Sequence, residues 1–499
     1  MYNKGTNLLK NKEYSLKQQA IYLGTGKTLV FLLRFVLPVL LVRLMTTDNY
    51  GIYRQLLLVG AFFLPILQGG FTNSLFYFFP ISKDRTQLLS QTILTITLIS
   101  ICFLPIFFLF KNQIGDFFQH DKFLEYVIPL GIYIVFSSIS YLSEYVFVLE
   151  KRSNLVIVFL ILNEILRILC IILPFLYFET IIAIIWGLVC WGVIKTLVLY
   201  CYLIVVYRIN FKIKTWNYRY LRDQMKYALP MGMARVIGDL GRKVDQFILV
   251  ALLSPVNFAI YSVARLQIPI VSIFFQSIRN VSIPKLSEHF TNNNYNAARE
   301  LWHKIISHYA AIVIPAIVFF FIFSEKIIII LYTKNYIESV NLYRIVLLIP
   351  LFEIFGHGLM LRAFKETRAI MNANLLVIPI SIPLGIILIK LFGNYGAAVT
   401  AVSAFYLNGL MQLSKTRKIL NLKMGGLLPW LAILKILLLS MILAPVIYYL
   451  NLVKNTYIVS IILGTIIYFP FTIILILIIV IKEKTVMSYY NTVKQKLSI

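Results

Sequence analysis

The sequence predicts an all-α polytopic membrane protein of about fourteen transmembrane helices, in two pseudo-symmetric six-helix lobes with two extra helices at the C-terminal end. Three observations carry this expectation: apolar runs of membrane-spanning length, a one-sided distribution of Lys and Arg among the connections, and an internal repeat.

Of the 499 residues, 60% are apolar and 13% are charged, and the mean hydropathy is +0.83. A soluble chain carries roughly twice that charged fraction, about 25%. The apolar residues fall in runs long enough to cross a hydrocarbon core of roughly 30 Å. No alternation with period two is sustained, so the spans read as helices and not as barrel strands. Fourteen can be drawn, at about 21–45, 54–80, 88–110, 123–149, 155–176, 181–206, 227–252, 258–284, 305–330, 340–361, 370–390, 396–413, 428–450 and 456–481. A set of twelve would also leave both ends on one side. The run after the polar N-terminal segment is too long for a signal-peptide core and lacks a small-residue cleavage site, so no cleaved leader is expected.

Formal net charge is +27. With the N-terminus inside, the cytoplasmic segments hold 28 of the 47 Lys and Arg, including six between Arg208 and Lys226. The opposite connections hold only Lys111, Lys122, Lys326, Lys334, Lys390 and Lys454. This is the positive-inside pattern at every loop pair, and it puts both termini in the cytoplasm. Such a basic balance can signal nucleic acid, but here the cations sit in short loops beside apolar spans, where anionic lipid headgroups suffice as partners.

The longest inner connection, Tyr207–Lys226, interleaves cations with Phe211, Trp216, Tyr218 and Tyr220 and reads as a segment lying on the headgroups. It divides six spans from eight. Leu41–Tyr53 (LVRLMTTDNYGIY) aligns without gaps to Leu249–Tyr261 (LVALLSPVNFAIY) at an offset of 208, with six identities that include Asn49/Asn257 and Tyr53/Tyr261. The same offset pairs Gly24 with Gly232, Lys27 with Arg235 and Arg34 with Arg242. Span 1 thus corresponds to span 7, and each opens a half of six spans in the same orientation. The expected organisation is an N-lobe over 1–206, a cytoplasmic linker over 207–226, a C-lobe over 227–423, and spans 13 and 14 with a tail over 424–499. Transporters built of such repeats place their substrate path between the halves.

Charges within spans are expensive and mark candidate sites. Arg43, Arg54, Arg279, Arg344 and Lys435 lie where a long side chain can snorkel to the headgroups. Arg167 has Glu164 one turn earlier as a local partner. Lys195 and Arg265 are deep and have no partner close in sequence. Lys27 and Arg34 share a helix face at two-turn spacing, and Arg235 and Arg242 repeat it. On helices entering from the cytoplasm, the first of each pair lies about 9–11 Å deep and the second about 20 Å deep. Two such ladders suit an anion crossing between leaflets, making Arg34, Arg242, Lys27, Arg235, Arg265 and Lys195 the candidate anion-binding set. Asp239 and Asp245 can pair with the arginines of span 7, whereas span 1 offers no acid: Phe31 stands where span 7 has Asp239. Among the acids, Glu353 with His357 one turn on is the leading candidate for ion coupling, beside Asp239 and Asp245. Glu144, near the inner end of span 4, is expected to be solvated.

Enzyme signatures are missing. Gly24-Thr25-Gly26-Lys27-Thr28 resembles the end of a phosphate-binding loop, but the earlier glycine is Ile21 and the segment lies in a span. The five His have no metal spacing, and the four Cys fall in spans without a CxxC pair. The outward loops are too short for a catalytic region. No enzyme, metal site or cofactor is expected, with H+ or Na+ as the coupling-ion candidates.

Several segments resemble the oligosaccharide flippases of polysaccharide biosynthesis, O-antigen-type members of the MATE-like (MOP) superfamily. They are Leu44-Met45-Thr46-Thr47-Asp48-Asn49-Tyr50-Gly51-Ile52-Tyr53, Tyr77-Phe78-Phe79-Pro80, Leu229-Pro230-Met231-Gly232, Asp245-Gln246-Phe247-Ile248-Leu249 and Ile283-Pro284-Lys285-Leu286-Ser287. The resemblance implies two lobes around a cationic cavity and a location in the bacterial cytoplasmic membrane. It also implies an undecaprenyl-pyrophosphate-linked oligosaccharide as cargo, moved from inner to outer leaflet by alternating access, with lipids and other glycan-assembly membrane proteins as partners. The pyrophosphate is the anion the ladders would meet. Three alternatives stand beside it. A multidrug exporter of the superfamily handles cations through acids, where span 1 here has Lys and Arg. A lipid II-type flippase shares the cationic cavity but has denser glycine and Pro-Asn signatures. A membrane enzyme of glycan assembly needs longer loops.

Overall fold

The computed structural model describes residues 16–82, 84–118, 123–150, 153–209, 217–452 and 457–481, and throughout them the secondary structure is helical. The N- and C-terminal tails and the aromatic-basic stretch 210–216 of the expected linker lie outside the described residues, as does the side chain of Lys27.

Among the described residues helix covers most of each of the fourteen expected spans, with breaks in spans 2, 7, 8 and 10. Span 1 is Leu16–Leu44, and span 2 is Thr47–Gln68 continued by Phe71–Ile81. Spans 3 to 6 are Arg85–Leu109, Phe123–Leu149, Ser153–Phe178 and Ile181–Tyr207. Among the described residues nine helices are long and apolar enough to cross a bilayer, which covers spans 2 to 6, 9, 11, 13 and 14. The other five depart for identifiable reasons. Most of span 1 before Leu29 lies outside the residues whose side chains are described, and span 7 carries Arg235, Asp239, Arg242, Lys243 and Asp245. Spans 8 and 10 are broken into shorter helices, and span 12 (Asn394–Ile419) includes Asn408 and Gln412. Large apolar side chains such as Leu109, Tyr177 and Val205 stay exposed on the long helices, as expected where hydrocarbon is the solvent.

Contacts divide the chain into two compact units. The first comprises Met1–Leu40, Phe63–Ile114 and Asp121–Met233; the second comprises Leu41–Phe62, Gly115–His120 and Ala234–Ile499. These boundaries run through spans 1, 2 and 7, whereas the repeat sets its lobes between spans. In the first unit, span 6 packs against spans 4 and 5, and span 4 against span 3. In the second, spans 11 and 12 pair closely, and spans 13 and 14 dock on span 9 through Phe319, Phe323, Ile327, Ile447 and Tyr468.

Two expectations about span 7 are corrected. Its helix begins at Tyr218, so the end of the expected headgroup segment is protein-packed. Gln224 is buried and donates to Ser74 Oγ at 3.0 Å and Thr92 Oγ1 at 2.9 Å, and Tyr227 stacks on Tyr77. The helix also stops at Gly241 and restarts at Val244, so it is not continuous past Arg242.

Within the first unit, the span 2 break at Gly69-Gly70 receives the span 7 helix. Gly70 has φ +78°, and a Cβ there would stand 2.1 Å from the carbonyl oxygen of Ala228. Backbone strain and a clash with a carbonyl that cannot move aside therefore add. Gly70→Ala is expected to lower stability by about 1–3 kcal/mol, seen as a drop of several degrees in the thermal midpoint of the purified protein. An unchanged midpoint would remove this crossing from the packing account.

Candidate functional site: two arginine–carboxylate clusters

In the first unit, Arg34 Nε lies 3.0 Å from Glu164 Oε1, and Arg167 Nη2 lies 2.8 Å from Glu164 Oε2. Glu164 comes from span 5 and its side chain is 3% exposed, while that of Arg34 is 50% exposed. This corrects the expectation that Arg34 lacks a partner: the acid missing from span 1 is supplied by span 5. It also corrects the reading of Glu164 as a purely local partner of Arg167, because one carboxylate serves both guanidinium groups. Two cations about one anion leave a single positive charge, carried at its open end by Arg34.

In the second unit, Asp239 sits between Arg235, 3.8 Å away, and Arg242, which it contacts directly. Arg242 is the more open of the two, its side chain 67% exposed against 33% for Arg235. The intrahelical pairs allowed by the sequence are thus formed, and again two cations share one anion. Arg34 and Arg242, paired by the repeat, each end in a partly exposed guanidinium held from behind by a carboxylate. Such a group is preoriented, with N–H donors to spare for a second acceptor.

Arg242 owes its position to the helix break. Its N–H bonds Gly238 O at 3.3 Å, and its own carbonyl accepts from Arg265 Nη2 at 3.2 Å. Arg265 also lies 3.6 Å from Asp245, which accepts the Tyr261 hydroxyl and is 2% exposed. Asp245 therefore does not continue the stripe of Asp239; past the break it turns into the unit and anchors Arg265. Lys243 Nζ reaches the carbonyl of Ala61 at 3.4 Å. Arg265, named with the anion-binding set, has its charge matched inside the unit. So has Lys195, whose ammonium lies 3.2 Å from Glu144 and 5.5 Å above the Trp191 ring. Glu144 is correspondingly an ion-pair partner and not a solvated acid.

Two further expectations are revised. Arg43 does not snorkel: it donates to Leu331 O at 2.9 Å and to Ile330 O, satisfying the last carbonyls of the helix Ser324–Tyr332. Arg54 is hydrogen-bonded to Tyr50, with Tyr53 and Tyr332 close by. Span 10 is also not one helix. Leu348–Glu353 ends, Gly356 takes φ +54°, and the helix resumes at Leu359. Glu353 and His357 are therefore not one turn apart on a common face, and among the described residues no hydrogen bond joins them. Asn374, Asn408 and Gln412, which sequence reading passed over, form a chain of hydrogen bonds between spans 11 and 12; polar amides in an apolar stretch were the available signal.

These features define a polytopic helical membrane protein with basic clusters set inside its spans. Its fold is similar to those of several solved membrane transporters. The lipid II flippase MurJ, in an inward-closed conformation, matches with a TM-score of 0.71 at 18% identity, covering 91% of this chain and 98% of MurJ. An inward-facing multidrug MATE family transporter of the MOP superfamily matches at 0.58 and 13% identity, covering 81% and 94%. A MOP superfamily transporter from Pyrococcus furiosus matches at 0.56 and 12% identity, covering 81% and 96%. No curated protein matches the sequence. Residues 40–341, more than half of the chain, match the family described as polysaccharide biosynthesis protein. The chain belongs to that family.

Proposed function

We propose that this protein carries a polyprenyl-pyrophosphate-linked oligosaccharide from the inner to the outer leaflet of the bacterial cytoplasmic membrane, by alternating access between its two repeat-related lobes. One observation carries the reading: Arg34 and Arg242 each present a partly exposed guanidinium backed by a single carboxylate. A pyrophosphate is the cargo feature such groups recognise, by charge-assisted, bidentate hydrogen bonds. Membership of a polysaccharide biosynthesis family supports a glycan as the load, and the flippase function named for MurJ supports a lipid-borne one. In this reading Arg34 and Arg242 are the contacts for the anion, and Lys27 and Arg235 extend the path toward the cytoplasm. Arg265 acts indirectly, by bonding the Arg242 carbonyl, and Lys195 ties span 6 to span 4 through Glu144. No metal or organic cofactor takes part, and no bond of the cargo is made or broken.

The direct test is a strain lacking this chain, in which the lipid-linked glycan should accumulate facing the cytoplasm and return to the outer surface when the chain is restored. Accumulation with normal surface glycan would contradict the reading. The orientation has its own test. Single cysteines near Arg222 and in the C-terminal tail should be labelled only from the cytoplasm, and at Asn335 or Asn455 only from outside. Outside labelling near Arg222 would invert the assignment and the direction of transport with it.

A further inference from the structure

Within the first unit, the second half of span 2 runs antiparallel to the start of span 7, toward the side that the positive-inside pattern puts at the cytoplasm. Gly70 meets Ala228, Ser74 meets Gln224 and Phe78 meets Tyr220. Each step of four along one helix matches a step of four back along the other. The Gln224–Ser74 bond, buried on both sides, lies one turn before Tyr77 on span 2 and one turn before Tyr227 on span 7. Helical side chains lean back toward the start of their own helix, so on antiparallel helices these two rings converge on the level of that bond. They stack there, with centroids 5.1 Å apart and planes 18° from parallel. The buried Phe78 stands edge-on to both, 5.0 Å from the Tyr77 ring and 5.8 Å from the Tyr227 ring, and fixes the pair from behind.

Stacked pairs of this kind usually belong to a core, but this one is open: Tyr77 is 53% exposed and Tyr227 37%. Phe76, beside them, is exposed as well and packs on Tyr145 of span 4. The open stripe is not a purely lipid-facing one. Asn73, one turn before Tyr77, is partly exposed on it, about 10 Å from the inner end of span 2 at 1.5 Å per residue. Its Oδ1 accepts the Tyr145 hydroxyl at 3.3 Å. Hydrocarbon penalises an amide at that depth, so the stripe borders water or a polar ligand.

We propose that Tyr77, Tyr227 and Asn73 form a subsite for a pyranose ring of the cargo glycan, engaged as the cargo loads from the cytoplasm. The identity of the glycan rests on the flippase reading above. A pyranose turns a face of C–H groups outward, and their partly positive hydrogens match the negative face of an aromatic ring. Its hydroxyls lie around the edge, within reach of the tyrosine hydroxyls, which are unbonded among the described residues, and of the Asn73 amide. An acyl chain would leave these polar groups unused. Because packing already holds the two rings in place, binding orders little that was mobile.

The experiment uses the full chain in vesicles of phosphatidylethanolamine and phosphatidylglycerol. The probe is the lipid-free oligosaccharide released by mild acid from the polyprenyl-pyrophosphate-linked glycan. Saturating the protein's aromatic protons by NMR should transfer saturation to the ring C–H protons of the sugar. The transfer should fall several-fold in Tyr77→Leu and in Tyr227→Leu and persist in Tyr77→Phe, which keeps the ring. Asn73→Leu should weaken sugar binding several-fold. Undiminished transfer in both tyrosine-to-leucine variants, or none in the wild type, overturns the subsite. Transfer to lipid glycerol protons that these substitutions abolish, with none to the sugar, marks the pair as a headgroup anchor and also overturns it. In vesicles carrying the intact cargo, Tyr77→Leu should raise the half-saturating glycan concentration several-fold and leave the maximal rate of movement nearly unchanged. Movement insensitive to Tyr77→Leu overturns the subsite and leaves the flippase reading intact. Sugar transfer as expected, with no movement of the intact cargo, supports the sugar site and overturns the flippase reading.

Discussion

Arg34→Ala and Arg242→Ala are each expected to cut glycan export roughly 10- to 100-fold while the protein remains in the membrane. The size follows from a charge-assisted hydrogen bond worth about 1.5–3 kcal/mol, at tenfold per 1.4 kcal/mol. Both side chains are partly exposed, so removing them leaves no cavity in either unit, and the loss should fall on transport before stability. Lys at either position should keep part of the activity, because an ammonium still attracts phosphate but lacks the planar fork. Lys435→Gln, which removes a cation outside both clusters, should have little effect. Equal damage from Lys435→Gln and Arg34→Ala would show that the clusters have no special part in export.

Glu164→Gln is expected to act on stability as well as transport. Its buried carboxylate is the common partner of Arg34 and Arg167, and neutralising it leaves two guanidinium groups without their shared counter-charge. Breaking a buried pair costs about 3–5 kcal/mol; the lower end applies here because Arg34 is half exposed. Purified Glu164→Gln should therefore unfold several degrees below the wild type, and its yield in membranes should fall. Adding Arg167→Gln removes one of the repelling charges and should restore most of the stability without restoring full export, since Arg34 would have lost its support. If the double variant is no more stable than the single, the three groups do not form one electrostatic unit.

The helices were legible because each follows from a local property, the length of an apolar run. Among the described residues helix covers most of each drawn span, with breaks in spans 2, 7, 8 and 10. Partners across helices were not legible. Glu164 is 130 residues from Arg34, and nothing local tells which face of span 5 meets span 1. The same holds for Lys195 with Glu144 and for Arg43 with the carbonyls at 330 and 331. The breaks were missed for another reason. A hydropathy window averages over Gly241-Arg242-Lys243 and over Phe355-Gly356-His357, although Gly356 in the second is a residue suited to positive φ. Where the helix assumption failed, so did the spacing arguments built on it: His357 parted from Glu353, and Asp245 from the stripe of Asp239.

The central claim is that this chain moves a polyprenyl-pyrophosphate-linked glycan across a bilayer through contacts made by Arg34 and Arg242. The most direct measurement reconstitutes the full chain into vesicles bearing such a glycan in one leaflet and follows its exposure to a membrane-impermeant glycosidase. The account expects the wild type to bring about half of the protected glycan within reach of the enzyme over time. Arg34→Ala and Arg242→Ala vesicles, holding equal amounts of folded protein, should stay near the protein-free level. Glycan exposure that proceeds equally in the wild type and both variants, or in none of them beyond the protein-free vesicles, would contradict it.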